Sequence, residues 1–171
     1  MERKSNHVTL YFDAKSVNEG FARMAVMAFM TDMNPTLEQL EDVKTAVSEA
    51  VTNAIIHGYQ EGQHQEENNL QGAESIQEEG TGEHTQEKKQ VEMQLDRVGS
   101  ELMVEIIDQG VGIENVQEAM QPFFTTRPEM ERSGMGFAFM EAFMDEVTVS
   151  SVPGEGTRVV MKKYIERENE Q

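Results

Sequence analysis

The sequence contains no cysteine, which excludes disulfide bonds, thiolate nucleophiles and zinc–thiolate sites. Long hydrophobic segments are also missing. The longest uninterrupted apolar run, Met24 to Met30, has seven residues, whereas crossing a bilayer takes about 20. The first residues, MERKSNHVTLYF, contain neither the apolar stretch nor the small-residue cleavage site of a secretory signal. Together these absences predict a soluble, cytoplasmic protein.

Basic residues are scarce relative to acidic ones. The 171 residues include 14 Lys and Arg against 32 Asp and Glu, which gives a net charge of −18. A field of this sign repels the phosphate backbone that supplies most non-specific affinity for nucleic acids, so direct binding of DNA or RNA is not expected. A basic or mixed-charge protein partner is compatible with this field, and so is a simple role in solubility.

Hydrophobic patterning predicts a single α+β domain over residues 1–171. Strands are expected where apolar residues alternate or run together, at 8–12, 91–95, 102–107, 147–151 and 157–164. Helices are expected where apolar residues recur at helical spacing, between 16 and 34, between 36 and 58, around 116–120 and at 137–146. This order favours a two-layer α/β sandwich in which helices cover one face of a mixed, mostly antiparallel sheet.

Several residues are placed to begin, end or bury the first two helices. Ser16 with Glu19, and Thr36 with Gln39, have the spacing of capping boxes. Gly58 follows the second helix as a C-cap glycine would. The apolar stripe of the first helix is read from residues at helical spacing, namely Phe21, Met24, Ala25 and Ala28.

The segment 61–90 differs in composition from the residues on both sides. It contains eight Glu and six Gln, with few apolar residues and no sustained period. Such a segment buries too little apolar surface to offset the entropy of ordering it. We therefore expect a disordered acidic insertion within the domain, whose role the sequence leaves open.

Glu49 and Asn53 are four residues apart on the second predicted helix, so an acid and an amide share one helical face. Asn is a poor residue for a helix interior because its side chain competes for backbone hydrogen bonds. The pair is compatible with a chemical site and equally with a solvated helix face.

Asp108 ends an apolar strand and is followed by Gly110 and Gly112. Glycines let the backbone approach a flat ligand closely, and a carboxylate accepts a hydrogen bond from an amino group, as an adenine would donate. An ordinary Asp-x-Gly turn explains the same pattern.

Gly134-Met135-Gly136 precedes the last predicted helix, whose first backbone N–H groups would favour an anion such as phosphate. Arg127 and Arg132 lie shortly before it and are able to form charge-assisted bonds to phosphate oxygens. Many helices begin near glycine and many surface arginines only contact water, so this pattern also has a plain structural explanation.

The three patterns occur in a characteristic order, Glu-x-x-x-Asn, Asp-x-Gly-x-Gly and Gly-x-Gly, and a Gly-Thr pair follows them at 156–157. This order resembles the GHKL ATPases, which have the Bergerat-type nucleotide-binding fold. Four segments are similar to those of the sporulation anti-sigma serine kinases of this family: SEAVTNAIIHGY at 48–59, DQGVGI at 108–113, QPFFTTRPEMERSGMGF at 121–137 and FMDEV at 143–147. Gln109 departs from the family, where an acid is common, and so does the insertion at 61–90.

The resemblance implies a role for each matching residue. Glu49 matches the general base that takes a proton from the substrate serine, and Asn53 matches a residue that ligates the Mg²⁺ bound with ATP. Asp108 matches the residue that reads the adenine amino group, and Arg23 matches a partner-contacting arginine. The other implied nucleotide-binding residues are Gly110, Gly112 and Thr157 at the base, and Thr125, Thr126, Arg127, Arg132, Ser133, Gly134, Met135 and Gly136 around the phosphates.

The resemblance also implies an activity and partners. It predicts a homodimer that inhibits a sporulation sigma factor and phosphorylates a serine of an anti-anti-sigma protein with Mg-ATP. The same residues are compatible with two alternative functions. One is an ATP-binding protein that sequesters the sigma factor without kinase activity, and the other is a kinase that inhibits a stress-response sigma factor. A two-component histidine kinase fits less well, because a helical dimerisation and phosphoacceptor module is not evident.

Overall fold

The computed structural model describes residues 5–59, 89–122 and 134–166. Its described strands form one five-stranded sheet in the order β1-β2-β3-β5-β4. Every neighbouring pair among them is antiparallel, so the parallel component of the expected mixed sheet is not found in the described part of the chain. The strands are β1 (Ser5–Asp13), β2 (Gln90–Val98), β3 (Glu101–Asp108), β4 (Glu146–Val152) and β5 (Gly156–Tyr164).

The helices cover one face of this sheet, as the sequence predicts. They are α1 (Val17–Met30), α2 (Leu37–Asn53), α3 (Val116–Ala119) and α4 (Gly136–Phe143), with a 3₁₀ turn at Thr31–Met33 and a π-helical turn at Ala54–Gly58 that continues α2. Helix α2 packs between α1 and α4. The expected α+β sandwich is confirmed, while the predicted insertion lies outside the described residues except for Lys89 and Gln90.

Alternation along the strands decides which face receives the helices. In β2, Val91, Met93 and Leu95 are buried while the residues between them are only partly buried. The buried set of β3 continues the same surface and ends at Asp108. Because successive side chains point to opposite faces of a sheet, this alternation builds the core on the helical side and brings Asp108 to its end.

The first turn of α2 is capped as predicted. Gln39 N–H donates to the Thr36 hydroxyl at 3.2 Å, and Thr36 N–H donates to the Gln39 side chain at 3.0 Å. Ser16 makes no such bond at the start of α1, so the capping box expected there is wrong. Glu19 instead accepts from the Ser48 hydroxyl at 2.5 Å and pairs with Arg23, which ties α1 to α2.

The buried face of α1 also differs from the expected stripe. Ala22, Val26 and Met30 are buried, whereas the side chains of Phe21 and Met24 are 53% and 64% exposed. The run 24–30 is apolar on every side of the helix, so spacing alone does not select a face. Packing of α1 against α2 makes the selection.

Lys163 joins the end of α4 to the rest of the helical layer. Its ammonium donates to the Phe143 carbonyl at 2.6 Å and to the Asp42 carboxylate at 3.2 Å. A cation at a helix C-terminus satisfies a carbonyl that has no partner within the helix. Strand β5 thereby holds α4 in place beside α2.

Candidate functional site

A pocket of about 360 Å³ opens between α2, the end of β3 and the start of α4. This volume lies in the range of small-molecule sites, roughly 300–1,000 Å³. Its walls include Asn53, His57, Asp108, Gly112, Gly136 and Thr157. Residues from all three motifs of the sequence therefore meet in one cavity.

Asp108 lies at one end of the pocket and is 5% exposed. Burial raises the pKa of its carboxyl to about 6, against the opposing effect of backbone hydrogen bonds from Gly110 and Thr157. The Gly110 N–H donates to Oδ1 at 2.9 Å. A buried carboxylate with two oxygens can accept further bonds, so this end suits a ligand that presents an N–H donor.

Glycines allow the end of α2 to lie directly against Asp108. A Cβ on Gly58 would lie 2.7 Å from Asp108 Oδ1, and a Cβ on Gly110 would lie 2.0 Å from the Gly58 carbonyl oxygen. Gly58 is the last residue of the π-helical turn and does not have a positive φ, so its expected role as a C-cap is wrong. Its role is close backbone contact, which also includes a 2.9 Å bond from Val111 N–H to the Gly58 carbonyl.

Gly112 and Thr157 complete this end of the pocket, as the resemblance implies. Gly112 has a φ of 71°, and a Cβ there would lie 2.2 Å from the Val152 carbonyl oxygen. Thr157 pairs with Asp108 across the β3–β5 ladder, so its side chain lies on the same face of the sheet. Its hydroxyl is 3.0 Å from Ser151 Oγ.

Asn53 lines the other end of the pocket beside the start of α4, and Glu49 lies next to the same helix start without being part of the pocket wall. A Cβ on Gly136 would lie 3.1 Å from Glu49 Oε2 and 3.2 Å from Asn53 Nδ2. A glycine here lets the backbone of α4 approach both side chains closely. Gly134 also lines the pocket, and Met135 is the N-cap residue between the two glycines. The acid and the amide thus lie next to a helix N-terminus, whose backbone N–H groups and dipole suit the binding of an anion.

Asn53 is suited to share a magnesium ion with a phosphate ligand. Mg²⁺ prefers oxygen ligands and is usually held by one or two protein groups together with phosphates and water. The Asn53 amide lines the pocket next to Gly136. Among residues 5–59, 89–122 and 134–166 no group of three or more His, Cys, Asp or Glu is arranged to hold a metal without such a ligand.

Of the remaining predicted site residues, the structure describes one and leaves five undescribed. Thr125, Thr126, Arg127, Arg132 and Ser133 fall outside the described residues. Arg23 is on α1 and not in the pocket wall, and its Nε donates to Glu19 Oε1 at 2.8 Å.

Two residues that shape the pocket carry no signal in the sequence. Tyr59 and Ser151 bind backbone groups of the turn after Asp108. Both follow or lie within predicted elements, and no spacing pattern distinguishes them from other polar residues.

Comparison with known proteins identifies the family of the chain. The model of the histidine kinase-like ATPase domain matches residues 12–163. The anti-sigma F factor of Clostridium acetobutylicum is 47% identical over 158 residues, which cover 92% of this chain and 93% of the relative. The chain belongs to the anti-sigma F factors, a family with a histidine kinase-like ATPase domain. A relative of the same name from Clostridium perfringens is 45% identical over 92% of this chain and 96% of the relative. Another from Thermoanaerobacter is 47% identical over 94% of this chain and 95% of the relative.

The fold of this anti-sigma F family member also resembles a solved structure. The crystal structure of the RsbU and RsbW domains of a Mycobacterium tuberculosis protein matches with a TM-score of 0.57 and 17% sequence identity. The match covers 96% of this chain and 33% of that one, so this chain spans about a third of that structure. Within the described ranges, no helix has the length and apolar character needed to span a membrane.

Proposed function

We propose that the chain is a cytoplasmic ATP-dependent protein serine kinase that also binds and inhibits a sporulation sigma factor. The observation that carries the proposal is that the two ends of the pocket present different polar groups. A buried acceptor, Asp108, lies at one end, and Asn53 and the start of α4 lie at the other, with Glu49 beside them. A nucleotide has the matching order of chemical groups, with an amino-bearing base at one end and phosphates at the other.

The base end favours adenine over guanine. The Asp108 carboxylate accepts hydrogen bonds, and adenine carries an amino group where guanine carries a carbonyl oxygen. A carbonyl oxygen facing the buried carboxylate would leave two acceptors opposed, and buried polar groups without partners are costly. We therefore expect ATP to bind more tightly than GTP.

Phosphoryl transfer would take place beside Glu49. The hydroxyl of the substrate serine attacks the γ-phosphorus in line, a new O–P bond forms, and the bond to the leaving ADP oxygen breaks. Glu49 accepts the serine proton during this step, because its carboxylate lies beside Gly136 at the start of α4. Asn53 would hold Mg²⁺, which when bound neutralises negative charge on the phosphates.

The proposed partners follow from the family. The relatives are named anti-sigma F factors, which supports a sigma factor as one partner. The serine substrate is then the anti-anti-sigma protein, and the active form is a homodimer. Arg23 is proposed to contact a partner, since its side chain is 41% exposed on α1 beside the exposed Phe21 and Met24. A net charge of −18 favours partners with basic surfaces.

The direct test combines the purified protein, radiolabelled Mg-ATP and the anti-anti-sigma protein of the same genome. Label on a serine of that protein is expected. The Glu49→Ala variant should lose transfer by a factor of about 100 or more, the usual contribution of a general base, while still binding ATP. Glu41→Ala, on the exposed side of the same helix, is the matched control and should transfer at the native rate.

Two results would contradict the proposal. Native transfer by Glu49→Ala would show that another group accepts the proton. Clear ATP binding by the unaltered protein without any serine label would refute the kinase activity. The protein would then sequester its sigma factor with ATP as a bound ligand only.

A further inference from the structure

The turn at 109–113, which follows Asp108, is held at its first residue by a side chain from outside the motif. The Tyr59 hydroxyl accepts a hydrogen bond from Gln109 N–H at 2.9 Å and donates one to the Gln90 carbonyl at 2.5 Å. Tyr59 is 9% exposed, and burial raises the pKa of its phenol, so the hydroxyl keeps the proton that it donates. One buried hydroxyl thus joins the end of α2, the start of β2 and the end of β3.

A second hydroxyl holds the last residue of the same turn. Ile113 N–H donates to Ser151 Oγ at 2.8 Å, and Ser151 Oγ donates to the Gly156 carbonyl at 2.8 Å. Ser151 Oγ is also 3.0 Å from the Thr157 hydroxyl in the pocket wall. Ser151 therefore joins the turn to the β4–β5 hairpin.

Between these two ends the turn contacts the base end of the pocket directly. Its Gly110 N–H binds Asp108, and its Val111 N–H binds the Gly58 carbonyl at 2.9 Å. Gly112 lines the pocket. A shift of either end of the turn would consequently move the groups that face a bound base.

We propose that Tyr59 and Ser151 are positioning residues for base recognition: their hydroxyls hold the turn 109–113 so that Asp108 and Gly112 form a preorganised site for adenine. The inference rests on the proposed function, because it assigns these residues to the proposed nucleotide site. Neither hydroxyl is itself in the pocket wall. Both act through backbone groups, and neither belongs to the Glu-x-x-x-Asn, Asp-x-Gly-x-Gly or Gly-x-Gly pattern.

Removing either hydroxyl leaves backbone groups without their partner. Tyr59→Phe keeps the buried ring and deprives Gln109 N–H and the Gln90 carbonyl of hydrogen bonds. Ser151→Ala does the same to Ile113 N–H and the Gly156 carbonyl. A buried backbone group without a hydrogen bond is costly, so the turn should shift to a conformation that pairs these groups again. Part of the binding energy of adenine would then be spent on restoring the original geometry of the turn.

The test measures the affinities of the full-length chain for Mg-ATP and Mg-GTP by calorimetry. We expect the unaltered protein to prefer ATP. Tyr59→Phe and Ser151→Ala should each weaken ATP binding by roughly 2- to 12-fold, the value of one hydrogen bond, and should lower the ATP-to-GTP preference. The preference matters because a general loss of stability would not change the ratio of two affinities.

Two controls separate positioning from stability. Tyr164→Phe removes a hydroxyl from an exposed tyrosine outside the pocket wall, and Thr36→Ala removes the N-cap bond of α2. Both should keep the native affinity ratio, although Thr36→Ala should lower the melting temperature.

The outcomes are distinct. Native ATP-to-GTP ratios in both Tyr59→Phe and Ser151→Ala would overturn the inference while leaving the proposed nucleotide site intact. An equal loss of preference in Thr36→Ala would also overturn it, since the effect would then follow stability alone. An unaltered protein that binds no nucleotide would instead refute the proposed function, and with it this inference.

Discussion

Replacing Asp108 by asparagine should stabilise the protein in the absence of nucleotide and weaken its binding of ATP. Burial raises the pKa of the Asp108 carboxyl from 3.8 to about 6. At pH 7 the carboxyl is ionised in both the folded and the unfolded chain. The difference between the two pKa values then corresponds to about 3 kcal/mol by which the buried charge destabilises the folded state.

The asparagine would recover only part of this free energy. The carboxylate accepts bonds from the backbone of Gly110 and of Thr157, whereas an amide has a single acceptor oxygen. One backbone N–H would therefore face the new amide nitrogen, which we expect to offset about 1–2 kcal/mol. The net gain in the free energy of unfolding at pH 7 is then about 1–2 kcal/mol, or roughly 2–8 °C in melting temperature for a chain of this size.

The pH dependence of the stability difference tests whether the buried charge of Asp108 is its cause. The folded protein holds the Asp108 proton more tightly than the unfolded chain, so this carboxyl destabilises the fold progressively as pH rises from 3.8 to about 6 and fully above that value. The advantage of Asp108→Asn should accordingly grow between pH 5 and pH 7. Urea unfolding of both proteins across this range measures it, with Glu155→Gln, at an exposed residue outside the pocket wall, as a control.

Nucleotide should reverse the order of stabilities. ATP at roughly 100 times its Kd stabilises the unaltered protein by about 2.7 kcal/mol, while Asp108→Asn should gain much less because its acceptor for the adenine amino group is weakened. A stability difference that does not change with pH would refute the role of the buried charge. Unchanged ATP affinity in Asp108→Asn would refute the assignment of Asp108 to the base.

Two further substitutions test the geometry around the pocket. Gly110→Ala places a methyl 2.0 Å from the Gly58 carbonyl oxygen, so the variant should lose ATP binding and about 3 kcal/mol of stability in calorimetry and urea unfolding. Gly20→Ala on α1 is the control, because its methyl has room; it should bind ATP normally and gain about 0.5–1 kcal/mol of stability. A similar loss of ATP binding and stability in both variants would contradict the close contact between Gly110 and Gly58. Lys163→Met removes the bonds to the Phe143 carbonyl and Asp42 and should cost about 1–3 kcal/mol in urea unfolding, and native stability would show that α4 does not depend on this contact.

Periodicity predicted the elements better than it predicted the packing of α1. Strand alternation and the capping box at Thr36 depend on neighbours within a few residues, and the structure confirms both. The cap at Ser16 is wrong because Glu19, its expected partner, binds Ser48 on another helix. Tertiary contacts also explain why Phe21 and Met24 are exposed, because the packing of α2 against α1 selects which face of α1 is buried.

The sequence by itself determined the α+β class and the positions of the strands and helices, because these follow from local spacing along the chain. The grouping of Glu49, Asn53, Asp108 and Gly136 into one predicted site came instead from the resemblance to the GHKL ATPases. Only the tertiary structure decided which residues support the site from outside its motifs. Tyr59 lies 50 positions from Gln109 along the chain, and Ser151 lies 38 from Ile113. Hydrogen bonds over such separations depend on strand order and helix packing, which no local pattern records.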